Sequence, residues 1–456
     1  MLRYIPGHSD PLADYYIGTS MSLTQELIAL VRKRPISAMD LDDAALFTLD
    51  AVATAYAGSA TPVGAILRDW ANGGDLDLKR KALLMGALTH ITETDDLHRA
   101  SVTHPGCVVV PAVLALGEKT GASGEQMLRA ILHGFEAMCR IGAAVGPAHY
   151  RIWHNTATCG PFGSAMAAAS LLELNDEQTL NALGNAGTQS SGLWQFMETG
   201  AMSKHLHAGR ASESGLLAAE LAAHGFTGPA EILEGSKGFF AGTCDDPVPE
   251  NILRRPDDRW QLSLTSIKPW PSCRHTHPII DCALEIHQLL DGKPVREIDI
   301  KTYQAALDVC DCPEPETEYQ AKFSLYHTAA IALTDGAVGL DSFDARARER
   351  GARLRRATRV SIVDPYASNY PVSWGAEVTA VTESGEAFRI SRKDCKGDPE
   401  LALDHDEMRT KAMGLLRYGG LDEAAANQVC DAVLALPTTR ETPTLFSRFS
   451  DHLAGT

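Results

Sequence analysis

The stretch SGEQMLRAILHGFEAMCRIGAAV, residues 123–145, decides the fold class of this chain. Ser123 and Gln126 have the spacing of a capping box, in which each side chain bonds the backbone amide of the other residue. Behind them, apolar residues recur three and four positions apart, and this period is typical of an amphipathic helix. The segment is therefore predicted to form one long helix with a single face against a core.

Two neighbouring segments show the same helix signals. In LNDEQTLNALGNAG, Asn175 and Gln178 repeat the capping-box spacing. SESGLLAAELAAHGFTGP has a recognisable end, because Gly225 suits the left-handed position after a last turn and Phe226 can fold back onto that turn. There is no βαβ alternation and no GxGxxG motif after a strand, which argues against a dinucleotide-binding domain. About the first 245 residues are therefore predicted to be helical.

The pattern changes after about Arg254. VREIDIKTY and ATRVSIVDP alternate apolar and polar residues, and GAEVTAVTESGEAFRIS is typical of two strands around a turn at Ser384 and Gly385. Helical segments lie between them, around HPIIDCALEIHQLL and TAAIALTDG. From about Leu401 the chain is predicted to be helical again, which indicates that its C-terminal part packs against the first domain.

The composition excludes several classes of protein. Lys and Arg total 41 and Asp and Glu total 58, so the net charge is −17, and such a surface repels nucleic acid and anionic lipid. No apolar run approaches the roughly 20 residues of a membrane helix, and the N-terminal MLRYIPGHSDPLADYY lacks the layout of a signal peptide. The ten cysteines form no CxxC pair, which favours reduced thiols. We therefore expect a cytoplasmic protein that binds neither nucleic acid nor membrane.

Ionisable side chains are dense in TETDDLHRASVTHPG, residues 92–106, which contains Glu93, Asp95, Asp96 and His104. Such a stretch can hold a metal, perform acid/base chemistry or form a solvated loop. Its Asp-x-x-His and Asp-Asp-x-His spacings are far less specific for metal than HExxH, and no further ligand set with recognisable spacing occurs. Acid/base chemistry without a metal is therefore the favoured interpretation.

Two other stretches contain candidate functional residues. In GAMSKHLHAGR, Lys204, His207 and Arg210 recur every three residues and lie roughly on one side of a helix. In so acidic a protein they could bind a carboxylate ligand, although a solvated basic face is the alternative. In WHNTATCGPFG, His154 precedes a helix rich in small residues. It could be a functional histidine, or equally a residue that only caps the helix or packs against it.

The loop SIKPWPSCRHTHP contains a further basic group, with Lys268, Arg274, His275 and His277. Its prolines restrict the backbone, so less entropy is lost when the loop holds side chains in place. The alternative is an ordinary connection between two domains, because the helical pattern ends near this point. The sequence of this loop alone does not show whether it binds a ligand or only connects two domains.

Together these stretches resemble the MmgE/PrpD family, which includes 2-methylcitrate dehydratases, cis-aconitate decarboxylases and iminodisuccinate epimerases. The resemblance covers nearly the whole chain and continues through HPGCVVVPAVLALGEKTGASG, KPWPSCRHTHPIIDCAL and AKFSLYHTAAIAL. It implies a mainly α fold with an α+β second domain. The large all-helical domain would be built from both chain ends, residues 1–262 and 401–456, and the smaller α+β lid domain from residues 263–400.

The resemblance also implies a homodimer that needs no metal or organic cofactor, with an active site in the cleft between the domains. Carried over position by position, the family's catalytic side chains fall on Asp96, His104, His154, Lys204 and His277. The same motifs and their basic neighbours place the predicted substrate-binding side chains at Asp95, Lys268, His207, Arg210 and Arg274. The spacing to His104 leaves the register of the acidic pair open by one residue.

The chain departs from the family's common pattern at four positions. Leu97 stands where Asp-Asp-Thr-His has its threonine, and Ala157 follows Thr156 where glycine is common. His205 replaces the arginine that usually follows the lysine, and Trp270 replaces tyrosine in Lys-Pro-Tyr-Pro. Because these positions lie next to predicted site residues, the identity of the substrate does not follow from the resemblance.

The family's reactions make or consume negative charge at a carbon next to a carboxylate, which needs a base, an acid and cations. We predict His104 and Asp96 as the acid/base pair, and Lys204, His277 and Lys268 as ligands of a small polycarboxylate. His154 would be a second proton donor or an orienting group. The predicted function is a cofactor-independent lyase that eliminates water from a 2-methylcitrate-like acid. An epimerase, isomerase or decarboxylase of a related acid and a non-catalytic binding or scaffold homologue are the alternatives.

Overall fold

A computed structural model describes residues 21–74, 76–254 and 258–455. The prediction about a signal peptide concerns the first 16 residues, which lie outside these ranges. Within them, no helix has the length and apolar character needed to cross a membrane.

Helices form almost all of the first part of the chain, as the sequence predicts. The capping boxes at Ser123 and Asn175 are both present, and Gly225 has a φ of 85° while the amide of Phe226 donates to the carbonyl of Leu221 at 3.0 Å. The elements are α1 (Leu23–Lys33), α2 (Ala38–Ser59), α3 (Pro62–Asn72), α4 (Leu78–Thr89), β1 (Leu97–His98), α5 (Gly106–Thr120), α6 (Gly124–Ala144), α7 (Gly146–Tyr150), α8 (Asn155–Leu171), α9 (Asp176–Gly187), α10 (Ser203–Ala223), α11 (Phe239–Thr243) and α12 (Glu250–Leu253).

The middle part of the chain mixes helices and strands, again as the sequence predicts. Its elements are β2 (Thr265–Ser266), α13 (His277–Leu290), β3 (Val295–Thr302), α14 (Gln304–Cys310), α15 (Glu318–Lys322), α16 (Leu325–Asp335), α17 (Ala345–Arg356), β4 (Thr358–Ile362), α18 (Tyr366–Asn369), β5 (Ala376–Thr382) and β6 (Ala387–Arg392). Four strands form a sheet of order β4-β3-β5-β6, in which β3 and β4 are parallel and the other pairs antiparallel. Gly385, at the turn between β5 and β6, has the left-handed φ of 87° that favours glycine.

The C-terminal part is helical and comprises α19 (His405–Tyr418), α20 (Glu423–Leu434) and α21 (Leu445–Gly455). Its buried side chains, including Met408, Leu416 and Phe449, belong to the same hydrophobic cluster as those of α1 to α10. A second cluster contains residues from Cys273 to Ala380 and packs the sheet against α13 and α16. The fold is therefore mainly α with a smaller α+β region. The domain boundaries at residues 262/263 and 400/401 stay a prediction.

A short antiparallel pairing links the two parts of the chain. Leu97 of β1 pairs with Ser266 of β2, and His98 pairs with Thr265. Leu97, which replaces the family's threonine, is 4% exposed and belongs to the second hydrophobic cluster rather than the first. This pairing holds the loop between α4 and α5 against the Lys268 loop, and so determines which side chains meet.

Candidate active site

The predicted acid/base stretch forms the loop between α4 and α5, and residues 90–98 of this loop are buried. The interpretation as a solvated loop is therefore wrong. Lys411 of α19 anchors this loop. Its ammonium donates to the carbonyl of Thr94 at 2.8 Å and forms an ion pair with Asp50. Glu93 has a φ of 61°, a left-handed conformation that is uncommon for a residue with a Cβ and that is concentrated at functional sites.

Two lysines converge on Glu93. Its carboxylate forms a buried ion pair with Lys204 of α10, and Lys268 lies 3.6 Å from the other carboxylate oxygen. Lys268 also donates to the backbone carbonyl of Glu93 at 3.2 Å. The structure thus brings together two predicted basic residues that are distant in sequence. The acid between them was not among the predicted site residues.

The charges in this group are mutually dependent. Burial by itself would raise the pKa of Glu93, but Lys204 and Lys268 more than offset it and hold that pKa well below its usual range. Burial likewise opposes the charge on Lys204, yet the Glu93 carboxylate raises the pKa of the ammonium above its usual value. Both ions therefore stay charged at neutral pH. Glu93 is the carboxylate that the two lysines share, and Asp95 is a second, more distant carboxylate beside Lys268.

Asp95 contacts two imidazoles. Its Oδ2 lies 2.5 Å from Nδ1 of His90 and 3.4 Å from Nδ1 of His104. Burial alone would raise the pKa of Asp95, but His90, His104 and Lys268 hold it well below the usual range. Asp95 therefore lies in the site as a carboxylate, with Lys268 at 4.0 Å from its Oδ1.

The tautomer of His104 follows from its contacts. Its Nδ1 lies 2.5 Å from the backbone carbonyl of Asp96, and a carbonyl oxygen only accepts, so Nδ1 bears the proton. Burial lowers the pKa of His104 well below its usual value, although Asp95 opposes this shift. The neutral ring therefore has its lone pair on Nε2, which is the arrangement of a general base.

The predicted pairing of Asp96 with His104 needs correction. The carboxyl group of Asp96 accepts hydrogen bonds from the amide of Gly106, at 3.0 Å from each oxygen, at the start of α5. Burial and the neighbouring carboxylates Asp95 and Asp50 raise the pKa of Asp96 well above its usual value. The carboxylate beside His104 is that of Asp95, because the chain turns between the two residues and directs their side chains apart. This geometry favours Asp95 over Asp96 as the partner of the His104 ring.

His154 lies next to this group, at the position before α8. Its ring stacks on His90 with centroids 5.7 Å apart and contacts Trp194 at a tilt of 43°, with centroids 4.6 Å apart. Its Nδ1 lies 3.3 Å from Nδ1 of His207 on α10. The structure therefore joins His207 to the buried centre through His154, and not through a contact with Lys204.

The remaining predicted residues are His277, Arg274 and Arg210, and each has different surroundings. His277 begins α13 and is buried, with Nε2 at 3.2 Å from the carbonyl of Ser272; within the described ranges its Nδ1 has no hydrogen-bond partner. Arg274 is held by an ion pair with Asp398 and lies over the ring of Trp374, so its guanidinium is already engaged. Arg210 is exposed and pairs with Glu213 on the same helix, which leaves it on the surface of α10.

The structure adds residues that the sequence reasoning missed. Glu93 and His90 lie at the centre of the group, and Phe323 of the α+β region covers Lys204, whose ammonium lies 5.9 Å from the ring centroid. The ring of Tyr319 on α15 contacts that of Phe323 at a tilt of 33°, with centroids 4.8 Å apart. Glu93 had a signal in the sequence, since it lies within the dense stretch. His90 and Tyr319 had none, because only the tertiary packing brings them near.

One triad of possible metal ligands also lies here. One ligand atom from each of His90, Asp95 and Cys107 falls within 4.8 Å of the others, and all three residues are buried. This set of nitrogen, oxygen and sulfur donors could hold a metal such as zinc. Its spacing in sequence matches no common metal motif, which is why the sequence did not indicate it.

The chain was compared with known protein families and proteins. Residues 26–251 match the MmgE/PrpD N-terminal domain, and residues 270–436 match the MmgE/PrpD C-terminal domain. The cis-aconitate decarboxylase-like protein oryM of Aspergillus oryzae is 26% identical over 400 residues, which cover 82% of each chain. A cis-aconitate decarboxylase of Aspergillus terreus is 27% identical over 66% of this chain and 69% of its own. The cis-aconitate decarboxylase of Mus musculus is 24% identical over 72% of this chain and 70% of its own. With both halves of the chain matched in order, this protein belongs to the MmgE/PrpD family.

Proposed function

We propose that this protein is a cofactor-independent lyase of a small polycarboxylate, and that it releases carbon dioxide from an acid similar to cis-aconitate. One observation supports this most directly: Lys204 and Lys268 converge on Glu93 in a buried centre beside His104. Two ammonium groups would bind two carboxylates of the substrate. They would also stabilise the negative charge that develops when a carbon–carbon bond next to a carboxylate breaks. The relatives named cis-aconitate decarboxylases support the choice of reaction.

In this reaction the bond from the substrate carbon to one carboxylate breaks, and carbon dioxide leaves. The electron pair stays on the carbon, where a neighbouring carboxylate and the two lysines would share its charge. A proton must then be added to that carbon. We assign the proton transfer to His104, whose Nε2 would first take up a proton from the surroundings of the site and then deliver it to the carbon. Asp95 and the carbonyl of Asp96 would orient the ring, whereas His277 and His154 would border the substrate.

Elimination of water from a 2-methylcitrate-like acid is the second candidate. The neutral His104 supports it, because a ring with its lone pair on Nε2 can remove a proton next to a carboxylate. The carboxyl of Asp96 accepts from the amide of Gly106, so we do not assign it as the acid that a leaving hydroxyl needs. Epimerisation would require the same base and no leaving group, and it stays a third possibility for this site.

The test is an NMR assay in deuterated water with chelator-treated protein and a panel of citrate-, aconitate- and aminodicarboxylate-type acids. We expect loss of a carboxylate signal, carbon dioxide release and one deuterium on the product. A new alkene without carbon dioxide would favour the dehydratase, and deuterium exchange without loss of substrate would favour the epimerase. No reaction with any acid would contradict the proposal and favour a binding or scaffold homologue. Activity lost on chelation and restored by zinc would assign a function to the triad of His90, Asp95 and Cys107.

The expected homodimer and the expected cytoplasmic location rest on the family resemblance and on composition. We propose both here as parts of the same function. Analytical ultracentrifugation of the purified chain measures the first, and fractionation of cells that express it measures the second. A monomer at micromolar concentration would contradict the proposed dimer.

A further inference from the structure

A cavity of about 610 Å³ lies on the outer side of α8 and α10, next to the candidate site. Its walls include Trp153, Gly192, Leu193, Phe196, Leu206 and His207. Leu193 and Leu206 are 50% and 48% exposed, so the cavity opens to solvent. Neither Lys204 nor Lys268 lines it, and it is therefore separate from the group around Glu93.

His207 and His154 connect this cavity to the buried centre. His207 is half-buried and lines the cavity, whereas His154 is 2% exposed. Their Nδ1 atoms lie 3.3 Å apart. For two neutral rings in such a contact, one Nδ1 must donate and the other accept, so the two rings hold opposite tautomers.

His154, the inner ring of this pair, lies beside residues of the proposed active site. His154 stacks on His90 with an interplanar angle of 16°, and His90 contacts the Asp95 carboxylate that also lies beside His104. Burial lowers the pKa of His207 to about 4, so this ring is neutral at pH 7. A neutral imidazole can take up a proton on one nitrogen while it releases the proton on the other.

We propose that His207 is a proton relay that supplies the buried centre with protons from water in the cavity, through His154. This inference rests on the proposed decarboxylation, which consumes one proton in each turnover. Water in the cavity gives a proton to Nε2 of His207, and His207 passes its Nδ1 proton to Nδ1 of His154. His154 then releases its Nε2 proton to the group that protonates the substrate carbon, and each ring stays neutral but ends in the other tautomer. Exchange of ring protons with water restores the starting tautomers before the next turnover.

The role differs from the substrate-binding role that the sequence predicted for His207. A neutral ring would add little to the binding of an acid, and the ring contacts of His207 are with His154 and Phe196. We therefore expect its removal to slow the proton supply, with kcat reduced and KM nearly unchanged. A ring that served only for packing would lower stability instead.

The experiment compares His207→Ala with wild type and with Gln195→Ala, a variant of an exposed residue on the wall of the same cavity. We expect kcat of His207→Ala to fall at least tenfold. Added imidazole should restore it in a saturable way, because the cavity is open and the substitution leaves space for the ring. Wild type and Gln195→Ala should not respond to imidazole. His207→Gln serves as a second variant if circular dichroism shows that the alanine variant is unfolded, and it should be slow without rescue.

The possible outcomes separate this proposal from the proposed function. Full kcat in His207→Ala, or a loss that imidazole does not restore, would overturn the relay while leaving the decarboxylase assignment in place. A wild-type protein without lyase activity would overturn the function instead. The pair itself can be checked without substrate by nitrogen-15 NMR of labelled histidine, with His154→Gln and His207→Gln for assignment. Opposite tautomers support the relay, and two Nε2–H tautomers overturn it.

Discussion

Glu93 and Lys204, which are 111 residues apart in the chain, form a buried ion pair at the centre of the candidate site. Lys268 lies on the other side of the same carboxylate. In such an arrangement the acid is the internal counter-ion of two cations that would otherwise repel each other. A bound polycarboxylate would share these cations, so the stability of the site and its affinity for ligand are coupled.

Replacement of Glu93 by Gln is expected to lower the free energy of unfolding by about 3–5 kcal/mol, because buried Lys204 loses its carboxylate partner and Lys268 keeps only the more distant Asp95. Urea denaturation of variant and wild type measures the loss. Glu386→Gln is the matched control, since its pair with Lys293 is about half exposed and should contribute less than about 1 kcal/mol. Equal losses in the two variants would contradict the proposed role of Glu93.

Added citrate should stabilise Glu93→Gln more than wild type, because a ligand carboxylate can take the place of the missing one. Thermal melts over a citrate series would show a larger rise of Tm in the variant. A monocarboxylate such as acetate serves as the control ligand and should have a weaker effect. An identical citrate response in both proteins would indicate that the two lysines do not bind the acid.

His104→Ala is expected to reduce kcat by roughly 10²- to 10⁴-fold while the fold stays intact, because the variant loses the proposed proton-transfer group. The NMR assay described above gives the rate, and circular dichroism confirms the fold. His224→Ala, which changes an exposed histidine at the end of α10, should retain the wild-type rate. Unchanged turnover in His104→Ala would refute the assignment.

Asp95→Asn and Asp96→Asn should have different effects. Asp95 lies beside His104 and His90, so its amide variant should lower kcat by about tenfold or more through loss of orientation and charge. Burial and two neighbouring carboxylates raise the pKa of Asp96 and so favour its neutral form, which the amide resembles. Kinetics of both variants, measured side by side, decide between the two registers. A larger loss of kcat in Asp96→Asn would restore the pairing expected from the sequence.

Stability is expected to fall as pH decreases from about 6.5. Burial lowers the pKa of His205 to about 3 and that of His207 to about 4, and it also lowers the pKa of His104 and His154. Below the usual value of 6.5, the unfolded chain therefore binds more protons than the folded chain, and protonation favours unfolding. The loss should continue down to about pH 3–4 for His205 and His207. Urea unfolding at pH 7.5, 6.5, 5.5 and 4.5 measures this slope.

His205→Gln is the test variant for this effect, because glutamine does not titrate. Its stability should depend less steeply on pH between 6.5 and 4.5 than that of wild type. Glu93 and Asp95, whose pKa values are lowered, contribute in the same direction, but only below their usual values near 4. Asp96 and Asp50, whose pKa values are raised, act in the opposite direction in both proteins. A variant whose stability depends on pH as steeply as that of wild type would therefore contradict a buried neutral His205.

The sequence by itself determined the elements of this fold. Capping boxes at Ser123 and Asn175, the glycine stop at Gly225 and the alternation in β3, β5 and β6 are local signals. These signals depend on backbone hydrogen bonds and side-chain periodicity over a few residues, so they can be recognised in the sequence without knowledge of tertiary contacts. The family motifs likewise placed Lys204, Lys268, His104 and His154 among the candidate residues.

Only the tertiary structure decided how these residues meet. The turn after Asp95 directs the Asp96 carboxyl to Gly106, whereas Asp95 lies beside His104. Packing of α4 and α10 brought His90 and Glu93 to the centre, and the cavity beside α10 placed His207 between solvent and His154. Such contacts depend on the direction of each side chain within a packed interior. A shift of one residue can reverse that direction. No local sequence pattern predicts which carboxylate is buried beside which ring.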